Sequence, residues 1–136
     1  MKNKKPFAII LFDLDNFKRV NNTKGHFFSD QVLKALARIL KKHITDKDFA
    51  CRFGGEEFPV LFANTDLTTA YQHANRIREE FVSKNFEGKT IIISDGINLY
   101  QKDYSIIENI NFADEAMYTA KNAGKNRIIT YQDLVK

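Results

Sequence analysis

The sequence predicts a mixed α/β (α+β) fold: a ferredoxin-like βαββαβ unit with a central antiparallel sheet, followed by one more helix and one more strand. Three patterns indicate it. A continuous apolar run over 7–11 is bounded by Pro6 and Asp13, two segments repeat their apolar residues every three or four positions, and a Gly-Gly turn separates two strand-like runs. The chain has 136 residues, 43% of them hydrophobic, which fits a single domain over 1–136.

The elements follow from these patterns in chain order. The apolar run predicts a central first strand, and Ser29 and Asp30 are candidate N-caps of a first helix with apolar positions 32, 33, 36, 39 and 40. Strands over 49–53 and 58–62 form a predicted hairpin, and Asp66 opens a second amphipathic helix that ends before Gly88. A fourth strand over 90–93, a helix around 113–120 and a last strand near 128–131 complete the order.

Composition and charge exclude several classes of protein. The formal net charge is +4, but the lysines lie at predicted element ends, and no Lys/Arg stripe alternates with aromatics, so we expect no nucleic-acid partner. The one cysteine, Cys51, excludes a disulfide within the chain and is interpreted as a small core residue. No apolar run approaches the roughly 18 residues of a membrane span, and no signal peptide is recognisable. We expect a cytoplasmic chain without membrane contact, or the cytosolic part of a membrane-anchored sensor.

Two acidic segments predict a metal site. Asp13 follows the first strand, and Glu56 and Glu57 lie in the Gly-Gly turn of the hairpin. Right-handed crossovers place the first and third strands side by side and antiparallel, so the end of one meets the start of the other, and Asp13 and Glu56 should converge. Carboxylates are the ligands that Mg²⁺ takes. The sequence therefore predicts metal-assisted phosphoryl chemistry at this edge of the sheet.

A series of short motifs occurs in order along nearly the whole chain. They occupy positions 12–21, 25–30, 54–58 (Gly-Gly-Glu-Glu-Phe), 94–96, 113–121 and 124–127. In this order they resemble the GGDEF, or diguanylate cyclase, domain family, with its signature in the GGEEF form. The resemblance implies a nucleotidyl-cyclase-like palm.

The resemblance also implies an activity and its catalytic residues. Such an enzyme condenses two GTP into cyclic di-GMP and two pyrophosphates, by attack of a 3′-hydroxyl on an α-phosphate across a homodimer. By resemblance, Asp13, the Leu14 carbonyl and Glu56 are ligands of Mg²⁺ or Mn²⁺. Glu56 is also the candidate proton acceptor, Glu57 supports a second metal or its waters, and Lys18 steadies charge on the α-phosphate.

Substrate binding is implied for five further residues. Asn21 and Asp30 resemble the guanine-binding pair, since a carboxylate can accept from both N1–H and the 2-amino group of guanine. Phe17 lies among the backbone N–H groups expected around the same cleft. Lys121 and Lys125 resemble the phosphate-binding residues, with Lys125 where the family more often has Arg, so a point charge replaces a bidentate fork.

The chain departs from the family pattern at several positions. We expect it to start at the first strand and to lack the family's N-terminal helix, either as a departure from the family or because the sequence is a fragment. Asn22 and Ser29 replace the usual Asp and Gly. Pro59 removes an N–H from a central strand, which requires a bulge or an unpaired position. Asp95 stands at a usually apolar strand position, where burial would require a partner.

The family's inhibitory Arg-x-x-Asp motif aligns with Thr45-Asp46-Lys47-Asp48, and threonine cannot reproduce the arginine contacts. We therefore expect no product inhibition through this surface.

Two other functions remain open. One is a degenerate, non-catalytic GGDEF module that binds GTP and regulates a neighbouring domain, such as a sensor or phosphodiesterase domain in a longer parent protein. The other is RNA binding on the sheet, which would require exposed aromatic side chains on the central strands.

Overall fold

A computed structural model describes residues 6–50 and 57–136 of the protein. Its elements, in chain order, are β1 (Ala8–Leu14), α1 (Phe17–Lys24), α2 (His26–His43), β2 (Phe49–Ala50), β3 (Glu57–Phe62), α3 (Leu67–Val82), β4 (Ile93–Leu99), α4 (Ile106–Asn122), β5 (Ile128–Thr130) and α5 (Tyr131–Leu134). In this described part, the strands form one five-stranded sheet in the order β2-β3-β1-β4-β5. Only the β4–β5 pair is parallel among these strands. The predicted ferredoxin-like fold, with an added edge strand, is confirmed.

The sheet is centred on β1, which lies between β3 and β4 and is buried along its whole length. Asp13, near its end, is paired with Glu57 on one side and Ser94 on the other. The predicted meeting of the first strand's end with the third strand's start is therefore confirmed. The register runs without a bulge through Pro59, which lies opposite Leu11. The β2 position that would face Pro59 lies outside the described residues.

The two faces of the sheet have cores of different size. The larger core packs β-strand residues such as Ile10 and Phe12 against residues of α2 and α3, including Leu36 and Ile77. On the other face, Ile9 and Leu11 belong to a smaller cluster under α4. There α4 packs against the backbone of β4, because a Cβ at position 96 would overlap the carbonyl oxygen of Ala113 and the backbone nitrogen of Met117. Only glycine fits at Gly96 without moving the helix.

The start of the first helical region differs from the prediction. The chain forms the short helix α1 immediately after β1 and begins α2 at His26, so Ser29 and Asp30 are not N-caps. Gly25 separates the two helices with φ +87°, a left-handed conformation that glycine adopts easily. Ser29 is buried, and its Oγ donates to the Gly25 carbonyl. The predicted cap of α3 is confirmed, since the Asp66 carboxylate accepts from the Thr69 N–H.

Two strand boundaries were also predicted wrongly. The fourth strand spans Ile93–Leu99 instead of 90–93, because β4 pairs along its whole length with β1 despite its polar residues. The last strand ends at Thr130, whose hydroxyl caps a short helix that begins at Tyr131. Among the described residues, the helices are all too short or too polar to cross a membrane.

Candidate active site

The candidate active site lies where β1 ends. Asp13 is 5% exposed there and has Glu57 opposite it on β3. Glu57 is half-buried at the first described position of its strand. Glu56 and the Gly-Gly turn lie outside the described residues, as does Cys51. The convergence of Glu56 with Asp13 therefore stays a prediction.

Lys121 brings a positive charge to this edge from the last turn of α4. This helix begins with a complete capping box between Ser105 and Glu108, which fixes its start. The Lys121 Nζ lies 3.0 Å from Asp15 Oδ1, 3.5 Å from Asp13 Oδ1 and 3.4 Å from the Leu14 carbonyl oxygen. One ammonium group therefore contacts three successive residues at the end of β1.

Asp15 is a buried carboxylate that joins three parts of the chain. Its side chain is 0% exposed. The Ser94 hydroxyl lies 2.8 Å from both of its oxygens, and the Asn126 backbone N–H donates to Oδ2 at 3.1 Å. Lys121 supplies the third contact, at Oδ1. Sequence reasoning missed this residue, because its partners lie 79 to 111 positions away in the chain.

Lys125 lies in the turn after α4, where Lys125 and Asn126 both have positive φ. Its Nζ donates to Asn16 Oδ1 at 2.8 Å. Asn16 also has positive φ, at +59°, and precedes α1. Thus both predicted phosphate-binding lysines are held in this structure by the loop that follows β1, one by a buried carboxylate and one by an exposed amide.

The predicted guanine pair lies on two different helices. Asn21 on α1 is half-buried, and its Oδ1 is buried with no hydrogen-bond partner among residues 6–50 and 57–136. Asp30 on α2 is exposed and lines a cavity of about 650 Å³ together with Leu33 and Phe58. Asn21 therefore has an unused acceptor, which suits a ligand N–H.

The two remaining predicted residues lie at the start of α1. Phe17 is 9% exposed and belongs to the larger core cluster. Lys18 is exposed. Their predicted roles in substrate binding and catalysis stay predictions.

The described donors suit a cation at the end of β1. Within the described ranges, no group of three or more His, Cys, Asp or Glu side chains is arranged to hold a metal. Nevertheless the Asp13 carboxylate and the Leu14 carbonyl both contact the Lys121 ammonium, so a positive charge already lies close to both oxygens. Hard oxygen donors of this kind suit Mg²⁺ or Mn²⁺, with Glu56 as the further predicted ligand.

Comparison with known proteins identifies the family. Residues 1–127 match the family model described as diguanylate cyclase, GGDEF domain. The chain belongs to the GGDEF family.

Proteins and structures similar to this GGDEF chain carry matching names. It is 36% identical over 132 residues to a diguanylate cyclase of Vibrio cholerae and 38% identical over 132 residues to diguanylate cyclase A of Treponema denticola. The chain is covered to 95% and 93% in these matches, but it spans only 41% and 36% of the two relatives.

Among solved structures, the active GGEEF domain of a diguanylate cyclase from Vibrio cholerae has a TM-score of 0.87 and 36% identity, covering 93% of this chain and 83% of that one. The GGDEF domain of DgcB from Caulobacter crescentus, in complex with c-di-GMP, has a TM-score of 0.89 and 28% identity, covering 93% and 78%.

The segment that aligns with the family's inhibitory motif closes the connection between α2 and β2 in this GGDEF domain. Asp48 Oδ2 accepts from the backbone N–H and the hydroxyl of Thr45, at 2.8 and 3.1 Å. Asp48 Oδ1 accepts from the Ala63 N–H at 2.8 Å. Both oxygens of this carboxylate are therefore already bonded within the domain.

Asp95 was expected to have a partner for its carboxylate if it is buried, and within the described part of the chain this expectation is wrong. It is 0% exposed in the middle of β4, and neither carboxylate oxygen has a hydrogen-bond partner there. Burial raises the pKa of Asp95 well above its ordinary value; Arg78 opposes this rise and Asp15 adds to it. The raised pKa means that burial favours the neutral acid at Asp95 in this chain.

Proposed function

We propose that this GGDEF domain is a diguanylate cyclase, which condenses two GTP molecules into cyclic di-GMP and releases two pyrophosphates. The observation that carries the proposal is the position of Asp13, which is opposite Glu57 in the sheet and beside the Lys121 ammonium. The names of the relatives support the same reaction. Because the chain spans about two-fifths of these relatives, its activity in the whole protein belongs to the proposal.

Asp13, the Leu14 carbonyl and Glu56 would hold Mg²⁺ or Mn²⁺ at the end of β1. When bound, the metal would neutralise charge on the phosphate and lower the pKa of the attacking 3′-hydroxyl. Glu56 would accept the proton of that hydroxyl, and Glu57 would support a second metal or its waters. Lys18, which is exposed at the start of α1, would stabilise charge that develops on the α-phosphate.

Guanine would bind between α1 and α2. The unpartnered Asn21 Oδ1 supports this, because guanine offers the N–H donors that such an oxygen accepts. Asp30 lines a 650 Å³ cavity beside α2, β2 and β3 and would accept from N1–H and the 2-amino group. Phe17 would support this pocket from the core. Adenine lacks the corresponding donor pair, so the site would select GTP over ATP.

The reaction requires two nucleotides that face each other. Each chain would present one GTP, and the product's two equivalent phosphodiester bonds would form across a homodimer, transient or tethered. A longer parent protein, with a sensor or phosphodiesterase domain, would supply the tether. The difference in length between this chain and its relatives supports that arrangement.

The test is product analysis. The protein at high concentration is incubated with GTP and Mg²⁺ or Mn²⁺, and cyclic di-GMP is measured by mass spectrometry. We expect product from the parent and a loss of at least a hundredfold in Glu56→Ala and Asp13→Asn, since each removes a metal ligand. Glu79→Gln removes a carboxylate from the exposed surface of α3 and is the matched control.

Two results would lead to different conclusions. GTP binding without any product, from a parent chain with intact circular dichroism, would favour the non-catalytic regulatory module. Equal product from the parent and from Glu56→Ala would reject the proposed site while leaving the activity.

We also propose that product does not inhibit through the Thr45–Asp48 segment. The bonds of Asp48 to Thr45 and Ala63 support this, because the carboxylate is already occupied. Isothermal titration with cyclic di-GMP checks it. Tight binding that Thr45→Ala abolishes, in a folded variant, would contradict this proposal.

A further inference from the structure

The ammonium of Lys121 lies beside the two described atoms of the proposed metal site. Its Nζ is 3.5 Å from Asp13 Oδ1 and 3.4 Å from the Leu14 carbonyl oxygen, the two described atoms that are proposed to hold the metal. A divalent cation between these oxygens would repel an ammonium at that distance. We infer that Lys121 is the counter-cation of the metal site, and that a divalent cation competes with its ammonium for Asp13 and Leu14. This inference rests on the metal site of the proposed function.

Asp15 explains why Lys121 stays at this site. The Asp15 side chain is fully buried, and its other donors, the Ser94 hydroxyl and the Asn126 N–H, are neutral. Removal of the lysine would leave a buried carboxylate without a compensating charge, which is strongly unfavourable. Lys121 therefore remains with Asp15 when a metal takes Asp13, and it is not free to move fully onto a phosphate.

Lys125 is held much more weakly. Its partner, the Asn16 amide oxygen, is neutral, and this hydrogen bond between the half-buried Lys125 and the exposed Asn16 lies at the surface. A phosphate can displace that bond without leaving a buried charge behind. The two lysines thus divide the work that the family resemblance gives to both: Lys121 balances the carboxylates, and Lys125 binds the phosphate.

The first experiment measures Mn²⁺ binding without nucleotide, by paramagnetic broadening of backbone amide signals near Asp13. In Lys121→Gln, which keeps a donor toward Asp15, we expect Mn²⁺ to bind about fivefold more tightly, because a competing charge is gone. Lys125→Ala should stay within about twofold of the parent. Lys42→Ala removes the same charge from a surface pair with Glu80 and controls for net charge.

The second experiment measures binding of guanosine 5′-(α,β-methylene)triphosphate with Mg²⁺, because this analogue cannot release pyrophosphate. Loss of a charge-assisted phosphate contact should weaken binding about tenfold in Lys125→Ala. Lys121→Gln should weaken it by less than about threefold. Lys121→Met combined with Asp15→Asn, which leaves no buried carboxylate uncompensated and is checked by circular dichroism, provides a second variant if the glutamine chain does not fold.

The outcomes separate this inference from the proposed function. Unchanged or weaker Mn²⁺ binding in both Lys121 variants, with measurable binding in the parent, overturns the inference and leaves the metal site intact. Equal loss of analogue binding in the Lys121 and Lys125 variants overturns the division of work. If no chain binds Mn²⁺, the metal site and this inference are both rejected, and analogue binding reports separately on the nucleotide site.

Discussion

Asp15 and Asp95 are both fully buried aspartates on neighbouring strands or strand ends, yet their surroundings are opposite. Asp15, just after β1, has a serine hydroxyl, a backbone N–H and a lysine around its carboxylate. The carboxylate of Asp95, in the middle of β4, has no hydrogen-bond partner among the described residues, and burial raises its pKa. The difference follows from where each carboxylate lies. Asp15 follows a strand end and meets a turn and a helix end, whereas Asp95 lies at a strand centre and shares its face with the apolar core.

The neighbours of Asp95 support this reading. Side chains alternate along a strand, so Asp95 shares a face with Ile93 and Ile97, which belong to the larger core. Ser94, on the opposite face, donates to Asp15. One strand therefore supplies a partner to one aspartate and buries the other.

The largest expected effect is at Asp15. Asp15→Ala removes the acceptor of the Lys121 ammonium, the Ser94 hydroxyl and the Asn126 N–H. We therefore expect the free energy of unfolding to fall by about 3–5 kcal/mol. Urea denaturation at pH 7 measures it. Asp15→Asn keeps the shape of the side chain and should cost less. A loss below about 1 kcal/mol for Asp15→Ala would mean that the buried network contributes little.

The second largest expected effect is a gain in stability, at Asp95. Asp95→Val replaces an unpartnered buried acid with a β-branched apolar residue, and we expect the free energy of unfolding to rise by about 1–3 kcal/mol at pH 7. The control is Asp95→Asn, which stays polar and should give little of this gain. If valine destabilises the fold, Asp95 has a favourable interaction that its lack of hydrogen bonds conceals.

The gain from Asp95→Val should also depend on pH. The pKa of Asp95 is raised in the folded state above its ordinary value of 3.8, so the folded chain binds the proton more tightly. The contribution of Asp95 to the parent's free energy of unfolding is therefore fully present below about pH 4. It is lost as pH rises through the folded pKa, by at most about 1.4 kcal/mol per pH unit. Urea denaturation of the parent and of Asp95→Val at pH 4.5, 6 and 7.5 should give a difference in the free energy of unfolding that grows with pH. A constant difference would argue against this titration.

The smallest effect is expected on the surface. Glu80 contacts Lys42 at 2.7 Å and His43 at 2.9 Å, and these two residues lower the pKa of Glu80. Because Lys42 is 66% exposed, water screens the pair, and Glu80→Gln should cost less than about 1 kcal/mol. The cost should shrink further in high salt. Thermal melts of both chains at two salt concentrations measure it, and a loss as large as that of Asp15→Ala would remove the distinction between buried and exposed pairs.

The sheet was predictable from the sequence because its inner strands are marked by apolar runs, and topology then brought position 13 to position 57. The α1–α2 division was not predicted. Phe17 is the only buried residue of α1, so this helix lacks a long apolar stripe, and Gly25 was the available signal for the break. The bounds of β4 were missed because Ser94, Asp95 and Asn98 are poor strand formers, and pairing with β1 overrides that preference.

The candidate site was predictable in part. Asp13 and Lys121 were found through motifs, and the sequence itself placed the acidic strand end. The role of Asp15 could not be predicted, since it depends on a hydroxyl from β4 and a backbone N–H from the turn after α4. Such contacts are set by tertiary packing and leave no periodic pattern in the chain.

Gly96 has a consequence for the charge arrangement at the end of β1. With no side chain at that position, the backbone of α4 packs closely against the strand, where an added Cβ would overlap it. Met117, which touches this point, is one helical turn before Lys121. The lack of a side chain at Gly96 therefore sets the distance between α4 and the sheet. Any bulkier residue there would push α4 outward and move the Lys121 ammonium away from the oxygens of Asp13, Leu14 and Asp15.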